Sequence, residues 1–319
     1  MRQIQVFIIL SLFSSIMFGQ VRQETVSIPF SDYIKNPDTH VRNEFILPLT
    51  LSGTEYTFKA TPNDVMEEDL KREYPSLRTY DLTSDENKET YGALTVTDYG
   101  IYVTLHHFLG TSIFIRPSDY SGSQKHTVEY GISKEKARCG HIEHQEDEKV
   151  DLSYLIDDRK GLRNTFELGT TRYRYDVAII CTGEYYINNG NTNSSVTSSI
   201  TQTVNNISAI YKKDLSITLS TSSSRIKLYS DPNTDPFIPD NLGGDVRTIQ
   251  AGREIKASFA DNVYDIGHVF HQHADGDGWG NGGLAQLECV CDNSVSSGVI
   301  SKGSGWSGAY TNSDLGWVL

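Results

Sequence analysis

The sequence predicts a mixed α+β and α/β protein in two parts, a β-rich first half and a second half in which strands alternate with helices. In the first half, short β-branched and aromatic runs are separated by Ser-Gly and Tyr-Gly turns. In the second half, apolar residues at helical spacing stand between strand-like runs, which is typical of a layered α/β arrangement. The length of 319 residues allows each part a core of its own.

The first half contains five apolar runs that predict strands. They lie at 45–49, 55–58, 94–96, 101–105 and 112–115. A stretch at 64–71 is more helical in composition.

The second half begins with a buried strand predicted at 175–181. The helix after it has apolar residues spaced by three or four positions, namely Val196, Ile200, Val204, Ile207 and Tyr211. We then expect a strand at 215–219 from its period-two alternation, a helix at 246–259 and a strand at 264–270.

The N-terminus has the pattern of a secretory signal peptide. Arg2 provides a positive charge, residues 6–13 form an apolar run and Gly19 is a small residue near the expected cleavage point. The run is too short to span a bilayer, and the other interpretation, a buried N-terminal strand, has no continuation downstream. We therefore expect a secreted, extracellular protein with no membrane insertion once the signal is removed.

The predicted division of the chain follows these patterns. Residues 1–20 are the signal peptide and 21–150 the β-rich domain. Residues 151–169 form a charged, exposed linker, for which an ordinary solvated loop is the alternative, and 170–319 form the α/β domain. The formal net charge of −13 argues against nucleic acid or an anionic membrane surface as a partner.

Four cysteines, Cys139, Cys181, Cys289 and Cys291, allow three pairings in an oxidising compartment. Cys289 and Cys291 are predicted on one strand, where side chains two residues apart lie about 6.5 to 7 Å from each other. That is the far limit for a disulfide, so we do not expect these two to be bonded to each other.

The histidines near the end of the last predicted strand form a possible metal site. His268, His271 and His273 stand close to Asp275 and Asp277. On a strand, however, His268 faces the side opposite to the other two, and a polar loop explains the cluster equally well. The glycine-rich loop after them is similar to calcium loops but lacks a bidentate glutamate at the required distance, so a simple turn is the alternative.

Two segments of the second half resemble a known family. "YDIGHVF" at 264–270 and "GGLAQLECVC" at 282–291 resemble the strand and edge strand that precede the zinc helix in the reprolysin-like (adamalysin) branch of the metzincin zinc proteases. "TGEY" at 182–185 is similar to the segment after the first strand of the same catalytic domain. In the first half, 45–58, 65–80 and 100–117 resemble the propeptide of these enzymes, so the resemblance extends over about 40–319.

The resemblance implies a secreted zinc-dependent metalloendopeptidase precursor that cleaves polypeptides, with the upper α/β subdomain of a metzincin at 170–319. None of the nine histidines lies in an H-E-x-x-H motif, the spacing that supplies the zinc ligands and the glutamate base. We therefore expect no catalytic residue and no metal ligand within this chain. The ligands are expected beyond Leu319, on a helix that residues 312–319 would begin, and the chain as written is expected to be inactive. The alternative is a secreted, non-catalytic binding or surface-interaction protein derived from such a protease.

The resemblance also implies two functional sites and one disulfide. Gly283, Leu284 and Ala285 would form the edge strand to which a substrate adds as an antiparallel strand, with a buried interior strand as the alternative. Arg138-Cys139-Gly140 resembles the basic–Cys–Gly form of a latency switch, in which the Cys139 thiolate would bind the catalytic zinc, with a structural or disulfide-bonded cysteine as the alternative. Cys291 would pair with a cysteine beyond the present C-terminus.

Overall fold

A computed structural model describes residues 22–28, 44–108, 111–131, 138–139, 171–237, 244–272, 282–286, 289–293, 295–296, 299–300 and 302–309. The predicted signal peptide, linker, calcium-like loop and C-terminal helix lie outside the described residues, as does His273. Among the described residues, no helix is long and apolar enough to cross a membrane.

The first half forms one antiparallel sheet of eight strands in the order β1-β8-β7-β6-β5-β4-β3-β2. The strands are β1 (Arg22–Ser27), β2 (Phe45–Leu51), β3 (Thr54–Pro62), β4 (Arg78–Thr83), β5 (Tyr91–Thr97), β6 (Gly100–Phe108), β7 (Thr111–Pro117) and β8 (Lys125–Tyr130). A short helix, α1 (Glu68–Glu73), lies between β3 and β4.

This sheet curls around a single apolar core. Along β2, Leu47, Leu49 and Leu51 are buried and alternate with exposed residues, as expected for a strand with one face on a core. The turn after β2 reaches the other end of the strand order, because the Ser52 N–H donates to Glu24 Oε1 over 3.0 Å. The curl therefore brings the two ends of the sheet together.

The second half contains a mixed sheet in the order β11-β10-β13-β17-β14-β9, with β12 also paired to β10. Its strands are β9 (Arg138–Cys139), β10 (Tyr173–Cys181), β11 (Ile217–Ser220), β12 (Ile226–Leu228), β13 (Ile266–Gln272), β14 (Gly282–Ala285) and β17 (Gly305–Ala309). Strands β15 (Val295–Ser296) and β16 (Val299–Ile300) pair separately. The helices are α2 (Gly183–Asn188), α3 (Asn193–Leu215) and α4 (Gly244–Ser258), and a 3₁₀ turn spans Ser223–Arg225.

The predicted mixed α/β class is confirmed, with two local corrections. The strand expected at 215–219 begins only at Ile217, because α3 runs on to Leu215 and ends at Ser216 in the left-handed conformation with φ 56°. The strand expected at Cys289 and Cys291 is wrong. That segment is a turn, in which Cys291 has φ 62° and so cannot continue a ladder.

Helix α3 is buried on both sides. Its apolar stripe packs against the second sheet, as predicted from its spacing, in a cluster with β10, β11 and β13. Nine of its fourteen buried residues are Ser, Thr or Asn, and this polar face lies against β4 and β5 of the first sheet. The helix is therefore the layer between the two sheets.

The polar face of α3 is held by side-chain hydrogen bonds to the first half of the chain. Asn205 is fully buried, and its Nδ2 donates to the Leu94 carbonyl and to Thr95 Oγ1, each over 3.0 Å. Its Oδ1 accepts from Asn63 Nδ2 over 2.8 Å. A buried amide that loses its hydration and gains no hydrogen bond destabilises the fold. The Asn205 amide keeps its partners only in this arrangement, so these bonds fix how the two sheets face each other.

We expect Asn205→Leu to lower the free energy of unfolding by about 2 to 4 kcal/mol. Leucine has a similar volume but makes no hydrogen bonds, so the buried groups that bond to the amide would lose their partner. Urea unfolding followed by circular dichroism measures the change. The control is Asn188→Leu at the exposed end of α2, which should cost less than about 0.5 kcal/mol. Similar small effects at both positions would show that the Asn205 amide does not hold the interface.

Candidate polypeptide-binding edge

Strand β14 contains the three residues predicted to form the edge strand. It pairs antiparallel with β17, and Gly283 lies opposite Ser307. A Cβ at Gly283 would come within 2.5 Å of the Trp306 carbonyl oxygen. A side chain at this position would push the two strands apart, so the close approach requires glycine.

The backbone of β14 presents alternate residues to its two neighbours. The Gln286 N–H donates to the Ser304 carbonyl over 2.8 Å, and hydrogen-bonded and non-bonded pairs alternate along an antiparallel ladder. Leu284 therefore bonds to β17, whereas Gly283 and Ala285 turn their N–H and C=O groups to the outer side. That outer side is where an added strand would bind.

The outer side of β14 is partly occupied by β9. Strand β9 pairs with β14 in parallel, with Arg138 beside Gly282 and Cys139 beside Gly283. The structure thus pairs Cys139 with Gly283, two residues that the family resemblance assigns to separate sites. Sequence analysis did not predict the pairing, because a two-residue strand has no periodic signal and its partner lies far along the chain.

The two remaining predicted edge residues have different surroundings. Leu284 is half-buried and packs against the core shared by β10, β13 and α4, so its side chain positions the strand. Ala285 is exposed, and in the described part of the chain no strand pairs with its outer side. Among the described residues, the outer side of β14 is therefore unpaired at Ala285.

The two described histidines of β13 are engaged inside the sheet. His268 Nε2 lies 2.8 Å from Ser307 Oγ, and burial lowers the pKa of His268 to about 4. His271 is fully buried, with its Nδ1 2.9 Å from Thr182 Oγ1 and 3.6 Å from Glu184 Oε2. The two rings bind different partners on opposite faces of the strand, as the sequence predicted.

The described histidines of β13 do not form the metal site considered for the histidine cluster. Zinc requires three or four His, Cys or carboxylate ligands converging on one point. Among the described residues, no three such side chains are close enough together to hold a metal ion.

The described thiols are not joined to each other. Cys181, Cys289 and Cys291 are free, and burial raises the pKa of Cys181 to about 12, which makes it a poor nucleophile. Cys291 Sγ lies 3.5 Å from Asp265 Oδ1. Cys289 and Cys291 lie in a turn and not on the strand from which their separation was argued, and the disulfide implied for Cys291 stays a prediction.

Comparison with known proteins finds one family similar to the second half of the chain. No curated protein shows a significant match to the chain. Residues 171–317 match the family model of the reprolysin-like metallopeptidases of family M12B. This span contains β10 to β17, including the β14 edge, and the whole of α3. The segment from residue 171 to residue 317, a little under half of the chain, is therefore similar to the reprolysin-like metallopeptidases.

Proposed function

We propose that the protein is the precursor of a secreted zinc metalloendopeptidase. In this proposal residues 1–20 are a signal peptide, 21–150 a propeptide, 151–169 the processing linker and 170–319 the metzincin-like domain. The family match over 171–317 supports the last assignment. Because none of the nine histidines lies in an H-E-x-x-H motif, the 319-residue chain alone would hydrolyse no peptide.

The β14 edge is the proposed substrate-binding site. An extended substrate would add to its outer side as an antiparallel strand, using the outward N–H and C=O groups of Gly283 and Ala285. The observation that carries this proposal is that a segment of the same chain, β9, already binds there through its backbone. A surface that accepts one extended segment has the geometry for another.

The β9 segment is the proposed block on that site in the unprocessed chain. It runs parallel to β14, opposite to the direction proposed for a substrate, so it covers Gly283 without presenting its own peptide bonds in the substrate orientation. The switch predicted at Cys139 fits this placement, and its thiolate would serve as a metal ligand in the complete enzyme. Cleavage within 151–169 would allow β9 to leave together with the first domain.

We expect Ala285→Pro to weaken peptide binding at least tenfold, about 1.4 kcal/mol, because proline removes an outward N–H donor but no bond to β17. Binding of labelled extended peptides is measured on the chain after cleavage at a protease site placed within 151–169. The matched control is Leu284→Pro, which removes an inward ladder bond and should lower the melting temperature. Unchanged affinity in Ala285→Pro would place the polypeptide site elsewhere.

We expect Arg138→Pro to raise peptide binding by the uncleaved chain at least tenfold. In a parallel ladder Gly283 bonds to the residues on either side of its partner Cys139, so proline at position 138 removes a ladder donor of β9. Binding of the same labelled extended peptides, measured on the uncleaved chain, tests this. Cys139→Ala keeps the backbone and separates the role of the thiol. If neither variant opens the edge, β9 does not block it.

A further inference from the structure

The second sheet is also paired at its other end by a segment of the first domain. Met66 forms a parallel bridge with Thr221, which directly follows β11. The Thr221 N–H donates to the Val65 carbonyl over 2.8 Å, and the Glu67 N–H donates to the Thr221 carbonyl over 3.0 Å. Residues 65–67 thus pair with this edge as a short added strand, in which Met66 is the bridge residue and Val65 and Glu67 make the hydrogen bonds.

Two apolar side chains of this segment, Val65 and Met66, pack with residues of the second half of the chain. Val65 is 2% exposed and packs within the core cluster of α3, β10 and β11. Met66 packs with Leu70 and Leu77 and reaches Ile226 of β12. The second domain therefore has an apolar socket that it fills with a residue from the first domain.

The carboxylate of Glu67 neutralises a pair of arginines on the second domain. Its Oε1 lies 2.5 Å from Arg174 and 3.0 Å from Arg225. The Arg225 side chain is only 6% exposed, and its Nε has no hydrogen-bond partner among the described residues. Asp176 is the other carboxylate here, at 3.6 Å from Arg174 and 3.4 Å from Arg225. Without Glu67, two guanidinium groups would share one carboxylate.

We propose that this surface is a second polypeptide-docking site of the peptidase domain, separate from β14. It takes an extended segment in which an aliphatic residue precedes a carboxylate by two positions. The Thr221 backbone supplies the ladder bonds, the socket takes the aliphatic side chain, and Arg174 with Arg225 binds the carboxylate. In the intact chain Val65 and Glu67 occupy the site.

The covalent connection explains why the site is closed in the intact chain. Residues 65–67 belong to the same folded chain and bind this edge intramolecularly, so a free peptide competes poorly with them. The site opens when residues 65–67 are displaced. Because different segments pair beside β11 and beside β14, occupation of this site does not depend on β9, whereas cleavage and removal of the first half of the chain would also remove residues 65–67.

The test uses the full 319-residue chain and a labelled peptide with the sequence of residues 61–69. The host is the Val65→Gly/Glu67→Lys double variant, which empties the socket and repels its own segment. We expect the peptide to bind this variant at least tenfold more tightly than it binds the parent chain. A peptide with Glu67→Gln should bind at least tenfold more weakly than the unmodified peptide.

Two controls make the result specific. Adding Ala285→Pro to the double variant should leave this binding unchanged, which separates the site from β14. A thermal melt shows whether the double variant is folded, and Glu67→Gln alone is the milder host if it is not. The proposal is overturned if the folded host shows no saturable binding up to ~1 mM peptide, or if the Gln peptide binds as well as the Glu peptide.

Discussion

Helix α3 is packed on two sides at once, and both sheets take their position from it. Its apolar stripe completes the core of the second domain, whereas its Ser, Thr and Asn face meets the first domain through the Asn205 amide. A buried polar face must be hydrogen-bonded, but water can replace those partners when the face is exposed. The interface is therefore specific while assembled and less costly to open than an apolar interface of the same size.

The edges of the second sheet, like the interface of α3, are covered by the first half of the chain. An unpaired edge strand is a template for association with other chains. Here residues 65–67 bind beside β11 and residues 138–139 bind beside β14, so two segments of the first half protect two separate edges. If these edges are polypeptide-docking sites, one domain both protects them from unwanted association and keeps them closed until it leaves.

The sequence predicts much of this fold because most elements carry a local period. The apolar stripe of α3 and the alternation in β2 follow directly from burial on one face. Leu215 was assigned to a strand because period-two alternation does not show that Ser216 adopts the left-handed conformation that ends the helix. The pairings of Cys139 and Met66 could not be predicted, since each joins distant short segments. The buried polar face of α3 was also missed, because Ser, Thr and Asn are mostly found at the surface.

The central claim is that segments of the first half of the chain close two edges of the second sheet. Hydrogen exchange of backbone amides, compared before and after cleavage within 151–169 and separation of the two parts, tests it most directly. The account predicts that the amides of Gly283 and Thr221 exchange at least tenfold faster after separation, while the inward amide of Leu284 keeps its protection. Unchanged protection at both Gly283 and Thr221 would contradict it.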